Sequence, residues 1–147
     1  MYRSVILWIV SLAALLAWNL PSASCAEEEK KEKDAVIVSP KEGAKVSSSE
    51  EVEGKLNIEG WPVILVQPLV EGEPWWIQGS VEELDEGKFT TTAQFGNTET
   101  KAGTKFKIII VVAKNQEAAK KFEKGKTRTA LPAGLPRSAP VTVVRGD

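Results

Sequence analysis

The acidic stretch EELDE at residues 82–86 is the densest group of side chains in this sequence that could carry out acid–base chemistry. A glycosidase needs two carboxylates on opposite sides of a cleft, and a calcium site needs several oxygen ligands. Here the carboxylates crowd a stretch that ends beside Gly87, where a turn is expected. The spacing also differs from the D-x-[DN]-x-[DN]-G pattern of calcium loops. We therefore interpret this stretch as the decoration of an exposed hairpin.

The absence of histidine from the sequence removes most other routes to catalysis. Without an imidazole, neither a Ser-His-Asp nor a Cys-His nucleophilic system can be built, and histidine-containing metal sites are excluded. The sequence therefore predicts a protein that is not an enzyme and that uses no cofactor and no metal.

The balance of charge limits the kind of partner. The sequence has 19 basic and 20 acidic residues, which give a formal net charge of −1. Nucleic acid is not expected as a partner, because phosphate backbones are bound by clustered positive charge. We interpret the basic residues between Lys120 and Arg128 as a solvated helix face rather than a site for anionic envelope polymers. The final Arg145-Gly146-Asp147 is interpreted as a frayed chain end rather than an adhesion motif.

Two adjacent tryptophans, Trp75 and Trp76, are the side chains best suited to meet a ligand. Successive side chains of a β-strand point to opposite sides, so the two rings are expected to face opposite ways. Burial of Ile77 and Val81 in a core implies burial of Trp75. Trp76 and Gln78 then point to the outer face.

An all-β chain is expected to position these residues. Beyond residue 35, short apolar runs alternate with Gly, Pro, Asn and Asp, as in a β-sandwich. One helix is predicted over residues 116–124, with Asn115 as its N-cap and Gly125 after its end. Seven strands are predicted at Ala35–Ser39, Glu51–Ile58, Pro62–Val70, Trp75–Val81, Lys88–Phe95, Lys105–Lys114 and Ala139–Val144.

The third and sixth predicted strands have apolar residues at both odd-numbered and even-numbered positions, which indicates that both of their faces are covered. In the third strand, Ile64 and Val66 are expected to face the core. Residues of the opposite parity, such as Leu65 and Ile109, are then left on the outer face of the same sheet. We expect either the helix over residues 116–124, or a partner protein or a ligand, to cover them.

The first 26 residues have the layout of a secretory signal peptide. Arg3 precedes an apolar run from Val5 to Ala17, which is shorter than the roughly 20 residues that span a bilayer. Small residues before the expected cleavage point, after Ala26, complete the pattern. The alternative is an uncleaved anchor.

Cys25 lies next to this cleavage point and raises the question of lipidation. Lipoprotein signals usually have leucine three residues before the modified cysteine, and Ser22 stands there instead. A membrane is expected only if Cys25 is lipidated or the signal stays uncleaved. We therefore predict a signal peptide at 1–26, a charged linker at 27–34 and one sandwich domain at 35–147, in a secreted or periplasmic protein.

Several short motifs follow one another in order along residues 35 to 145. They are Ser39-Pro40 with Gly43 and Val46, Val52 with Gly54, Val66 with Pro68, Trp76 with Gln78, Gly87 with Phe89, Phe95-Gly96, and Gly103 with Phe106 and Ile108. This series resembles the immunoglobulin-like β-sandwich modules of bacterial and archaeal secreted or multidomain proteins. The resemblance implies a binding, spacing or adhesion unit, without the cysteine pair of antibody domains.

The sequence thus predicts an exported binding module that recognises a protein or a cell-envelope component through an outer sheet face. Trp76 and Gln78 are expected to form the site, flanked by Leu65 and Gln67. An aromatic ring beside amides supplies contact area at small entropic cost. One alternative is a carbohydrate-binding module in which a sugar ring stacks on Trp76. The other is a purely structural spacer in which helix 116–124 covers Trp76.

Overall fold

The computed structural model describes residues 34–146. The predicted signal peptide, with Cys25, and residues 27–33 of the predicted linker lie outside this range. In chain order, the described elements are β1 (Ala35–Ser39), β2 (Lys45–Val46), β3 (Ser49–Leu56), β4 (Trp61–Pro68), β5 (Trp75–Ser80), β6 (Lys88–Gln94), β7 (Lys105–Ala113), α1 (Gln116–Lys120), β8 (Thr127–Arg128) and β9 (Val141–Arg145).

The strands form two sheets that pack face to face, which confirms the predicted all-β sandwich. The smaller sheet has the order β1-β3-β6, and the larger sheet has the order β2-β9-β7-β4-β5-β8. All seven predicted strands are present, although most of their ends shift by one or two residues. β2 and β8 were not predicted, because a strand of two residues carries no period to detect.

The core between the sheets is built from alternate residues of the paired strands, as the sequence pattern predicts. Val52 of β3, Phe89 of β6 and Ile64 of β4 are buried there. Phe95 and Phe106 meet edge to face, with their ring centroids 5.6 Å apart, a geometry that aromatic pairs favour. Removing these apolar side chains from water is the main term that stabilises the sandwich.

A second buried cluster lies on the opposite face of the larger sheet. Leu65 of β4 and Ile109 of β7 are buried there, together with Trp75 and Ile77 of β5. Ala119 of α1 is fully buried in the same cluster. The segment after β7 therefore covers this face, as expected for strands that are apolar on both parities.

α1 is shorter than the helix predicted over residues 116–124, but it begins where expected. The side-chain oxygen of Asn115 accepts a hydrogen bond from the backbone N–H of Ala118 at 2.8 Å, which makes Asn115 the N-cap. After the helix, Gly125 adopts a φ of 85° and its N–H donates to the carbonyl of Ile77. The chain that follows α1 therefore pairs with the edge of β5.

A β-bulge in β5 changes which way its residues face. Leu65 of β4 pairs with Ile77, whereas the preceding Ile64 pairs with Gly79. Gln78 is therefore an extra residue in β5, and the alternation of side chains shifts by one after it. Gly79 follows with a φ of 104°, a conformation that side-chain-bearing residues rarely adopt.

This bulge corrects the predicted faces of β5. Trp75, Ile77 and Val81 are buried as predicted, but in two different clusters. The first two lie under α1, and Val81 lies between the sheets. Trp76 pairs with Val66, which faces the core between the sheets. Trp76 therefore points toward the side of the smaller sheet, so its predicted position on the outer face is wrong.

Candidate ligand groove at Trp76

A groove of about 500 Å³ lies beside Trp76, between β5 and the loop of residues 95–104 that joins β6 to β7. Its walls are mainly apolar, with a few amide and hydroxyl groups, which is the usual make-up of a ligand site. We call this feature the Trp76 groove. Its apolar lining comes from Val66, Pro68, Val70, Trp76, Ile77 and Phe106.

Trp76 keeps 42% of its surface exposed. Leu69 and Val70, in the turn between β4 and β5, are exposed as well, and Val70 lines the Trp76 groove. Apolar side chains that gather at the mouth of a groove mark interaction sites on protein surfaces. The exposure of Trp76 agrees with the sequence-based expectation, although the ring lies on the other side of the sheet.

Gln78 lies two residues after Trp76 and points the same way, toward the smaller sheet. Its Oε1 accepts a hydrogen bond from the backbone N–H of Gln94 at 2.8 Å, and its Nε2 donates to the carbonyl of Trp76 at 3.4 Å. Gln94 in turn donates through Nε2 to the hydroxyl of Ser49 at 3.1 Å. The amides beside the groove are therefore already engaged within the protein.

The other two predicted site residues lie away from Trp76. Leu65 is fully buried under α1. Gln67 lies two residues further along β4, on the same face, and its Nε2 donates to the carbonyl of Glu73 at 3.0 Å. The strand register places Leu65 opposite Ile77 rather than Trp76. The structure brings Trp76 and Gln78 together and leaves Leu65 and Gln67 on the opposite face, so the predicted four-residue surface is not formed.

The loop of residues 95–104 supplies groove residues that are not among the predicted site residues. Asn97 and Thr100 both line the groove, and Thr100 Oγ1 accepts from the Asn97 N–H at 2.9 Å. The Asn-x-x-Thr spacing, typical of a tight turn, was the available signal. Arg145 Nη1 fixes the loop by donating to the carbonyls of Phe95 at 2.6 Å and Asn97 at 3.2 Å. Arg145 is thus a bonded strand residue, and its interpretation as frayed is wrong.

The carboxylates of residues 82–86 decorate a hairpin, as expected. Asp85 and Lys88 exchange backbone hydrogen bonds of 3.0 and 2.8 Å. Between them, Glu86 and Gly87 have φ values of 49° and 80°, as in two-residue hairpin turns. Across the described part of the chain, no group of three or more His, Cys, Asp or Glu side chains is arranged to hold a metal ion.

The basic residues after α1 lie at the surface. The guanidinium of Arg128 lies 5.0 Å from the centroid of the Phe122 ring, within the range of cation–π attraction. Lys126 and Glu123 form an exposed pair with a 4.0 Å N···O distance, and such pairs contribute little to stability. Lys124 lines the Trp76 groove and is the basic residue among its lining side chains.

No protein-family model matches this chain, and no curated protein matches it. Among residues 34–146, no helix is long and apolar enough to cross a membrane. The function is therefore inferred from the chemistry of the Trp76 groove.

Proposed function

We propose that this chain is an exported, non-enzymatic interaction module that binds a protein of the cell envelope through the Trp76 groove. The observation that carries the proposal is the exposed ring of Trp76 in an apolar groove on a packed sheet. An aromatic residue so placed supplies a large contact area and has few torsions to immobilise on binding. Export is supported by the signal-like sequence of residues 1–26.

The immunoglobulin-like class is part of the same proposal. In the constant-type architecture, sheet A-B-E-D faces sheet C-F-G, and variable-type domains add C′ and C″ to the second sheet. When the strands are lettered along the chain, β1-β3-β6 corresponds to A-B-E without a strand D, and β9-β7-β4-β5 corresponds to G-F-C-C′, which supports this class. The ordered motifs of the sequence support the same class.

The chemistry of the Trp76 groove favours an apolar side chain of a protein over a sugar. A sugar ring stacked on an aromatic needs free hydrogen-bonding groups around it. Here the side-chain amides of Gln78 and Gln94, which line the groove, already have partners within the protein. Burying an apolar anchor against Trp76 and Phe106 requires no such groups and gains free energy from the area removed from water.

A glycan is the second candidate, because the exposed Trp76 ring can stack on a sugar and Thr104 brings a hydroxyl to the groove. The spacer alternative expected helix 116–124 to cover Trp76. α1 instead packs against Trp75, on the opposite face of the sheet, and Trp76 stays exposed, which supports a binding module over a spacer.

Affinity capture from cell-envelope extract, with the full chain as bait, tests the proposal. Trp76→Ala removes the ring, and Val38→Ala is the matched control because Val38 is 44% exposed on the smaller sheet. We expect a protein that is retained by the native chain and by Val38→Ala but not by Trp76→Ala. Binding of the purified partner should follow the same pattern.

Two results would redirect the proposal. Unchanged protein capture by Trp76→Ala would show that the Trp76 groove is not the binding site. Retention of the native chain, but not of Trp76→Ala, on an envelope polysaccharide would assign the groove to a glycan instead.

A further inference from the structure

We infer that the partner binds as an extended polypeptide strand added to the free edge of β6, with one apolar side chain in the Trp76 groove. This inference rests on the proposed function, because it names the form that the partner takes at that site. It is carried by the backbone of β6 rather than by Trp76 itself.

The hydrogen-bond register shows which backbone groups of β6 face its edge. Leu56 N–H donates to the carbonyl of Gly87, and Phe95 N–H donates to the carbonyl of Ser48. Antiparallel partners bond through every second residue. The odd-numbered residues of β6 therefore bond to β3, and the N–H and C=O groups of the even-numbered residues face away from it.

Two of the four outward-facing residues already use their backbone N–H groups. The N–H of Gln94 donates to Gln78, and Lys88 bonds across the hairpin turn. Thr90 and Thr92 lie between them. Within residues 34–146, β6 pairs with β3 alone, so it is an edge strand. The two threonines thus present alternating N–H and C=O groups, the template that β-strand addition uses.

The other sheet edges in the described range have features that discourage pairing. The larger sheet ends on both sides in strands of two residues, β2 and β8. β1 has an irregular register between Ile37 and Ser39 and is followed by Pro40. β6 is seven residues long, reads KFTTTAQ and carries one charge. Its run of threonines favours strand structure, so this edge is open by comparison.

A second groove, of about 590 Å³, runs beside this edge and adjoins the Trp76 groove. Residues 90–92 line one side, and Gly79 and Ser80 of β5 line the other. Gln78 and Lys124 line both grooves. A segment paired with Thr90 and Thr92 therefore runs toward the Trp76 groove, because Gln94, two residues beyond Thr92 on β6, lines that groove.

The occupant that fits this arrangement is a single polypeptide segment. Only a peptide backbone offers donors and acceptors at the spacing that Thr90 and Thr92 require. Because β5 encloses the groove on its far side, the space favours one extended segment over the edge of another folded sheet. The adjoining apolar groove then selects one aliphatic or aromatic side chain of that segment.

Random linear peptides displayed on phage, and selected on the full chain, provide the probe. We expect the selected peptides to share an apolar anchor residue. Methylation of alternate backbone nitrogens of such a peptide should weaken binding roughly tenfold each, while methylation of the intervening ones should not. Amide exchange at Thr90 and Thr92 should be fast in the free chain and slow with peptide bound. Thr91 should be protected in both states.

Thr92→Pro removes an outward N–H without touching the bonds to β3, a position at which strands tolerate proline. Thr92→Val is the matched control, because it keeps the backbone N–H. We expect Thr92→Pro to weaken peptide binding about tenfold or more, and Thr92→Val to leave it within about twofold. If Thr92→Pro fails to fold, the exchange measurement on the native chain decides the question.

The outcomes separate this inference from the proposed function. Peptide binding that is lost in Trp76→Ala but unchanged in Thr92→Pro, without protection of Thr90, overturns strand addition and leaves the groove as the site. Binding that protects Thr90 and ignores Trp76→Ala supports strand addition and removes the groove from the proposal. Selection of no peptide overturns the inference, as does a dimer of this chain that Thr92→Pro dissociates.

Discussion

Gln78 and Gln94 join the two sheets directly, because Oε1 of Gln78 on β5 accepts a hydrogen bond from the backbone N–H of Gln94 on β6 at 2.8 Å. The contact exists because Gln78 lies two residues after Trp76 on β5 and faces the smaller sheet as Trp76 does. It occupies one outward backbone donor of β6 and lies at the junction of the two grooves. The side chain of Gln78 thus fixes the end of the edge to which we assign the partner.

Gln78→Ala is expected to free the backbone N–H of Gln94. Because Gln94 is exposed, water replaces the lost acceptor, and the free energy of unfolding should fall by only about 0.5–1 kcal/mol. Hydrogen exchange at the Gln94 amide should become faster. Gln67→Ala is the matched control, since it removes a side-chain hydrogen bond, from Gln67 Nε2 to the carbonyl of Glu73, on the opposite face of the sheet. Unchanged exchange at Gln94 in Gln78→Ala would argue that the contact is not formed in solution.

The two adjacent tryptophans should differ sharply in their effect on stability. Trp75→Ala leaves a cavity under α1, because Trp75 is only 7% exposed, and should cost about 3–5 kcal/mol in urea unfolding. Trp76→Ala should cost about 1 kcal/mol or less, because its ring already contacts water. Trp76→Phe should also remove a red-shifted, quenchable component of the fluorescence. Equal losses from the two alanine variants would contradict this assignment of faces.

Gly87 and Gly43 form a matched pair for testing close packing at the hairpin before β6. Their φ values, 80° and 77°, are nearly equal. A Cβ at Gly43 meets open space, whereas a Cβ at Gly87 would lie 2.5 Å from the carbonyl oxygen of Leu56. We expect Gly43→Ala to cost about 1 kcal/mol and Gly87→Ala about 1–3 kcal/mol more. Similar thermal unfolding of both variants would speak against this close approach.

Ser138 is the buried polar side chain of the described core. Its Oγ accepts from the backbone N–H of Ile110 at 2.9 Å, and its own N–H donates to the Ile110 carbonyl at 2.8 Å. Ser138→Ala leaves a buried N–H without its acceptor, which should cost about 1–3 kcal/mol in denaturant unfolding. Thr104→Ala removes a hydroxyl that bonds at the surface and should change stability by less than about 1 kcal/mol. The reverse order would be inconsistent with this role of Ser138.

The N-cap of α1 gives a local test of the cover over the second cluster. Asn115→Ala removes the acceptor for the Ala118 N–H and should cost about 1 kcal/mol. Asn115→Asp keeps an acceptor and places a negative charge at the helix start, so it should be near neutral. Amide exchange at Ala118 should rise in the alanine variant alone. If it rises equally in both variants, the cap is not what holds this turn.

Much of the fold follows from alternation within single strands. The pattern places Ile64 toward the core between the sheets and Leu65 on the opposite face, and both assignments are confirmed. It also predicts that the outer face is covered, either by the amphipathic segment after β7 or by a partner protein or a ligand. The structure places Ala119 of that segment in the cover. These features depend on local periodicity, which a single sequence contains.

The candidate site depends on information that a single sequence does not contain. The face of β5 relative to β4 is set by pairing register, which places Leu65 beside Ile77. The bulge at Gln78 then places Val81 on the opposite side of the sheet from Trp75 and Ile77. The neighbouring Gly79 is the one sequence signal for this bulge. The loop containing Asn97 joins the groove through tertiary contacts far along the chain. The sequence therefore predicts the exposure of Trp76, but it does not predict which residues surround the ring in the groove.

The cover formed by α1 has a consequence for anyone who would shorten this chain. The surface beneath it carries Leu65, Ile109 and Trp75, and all three depend on the segment after β7 for their separation from water. A minimal sandwich that omitted residues 115–126 would keep both sheets and yet display this broad apolar surface, which favours self-association. The short helix α1 therefore keeps this apolar face from contact with other molecules, and a chain without it would be expected to aggregate.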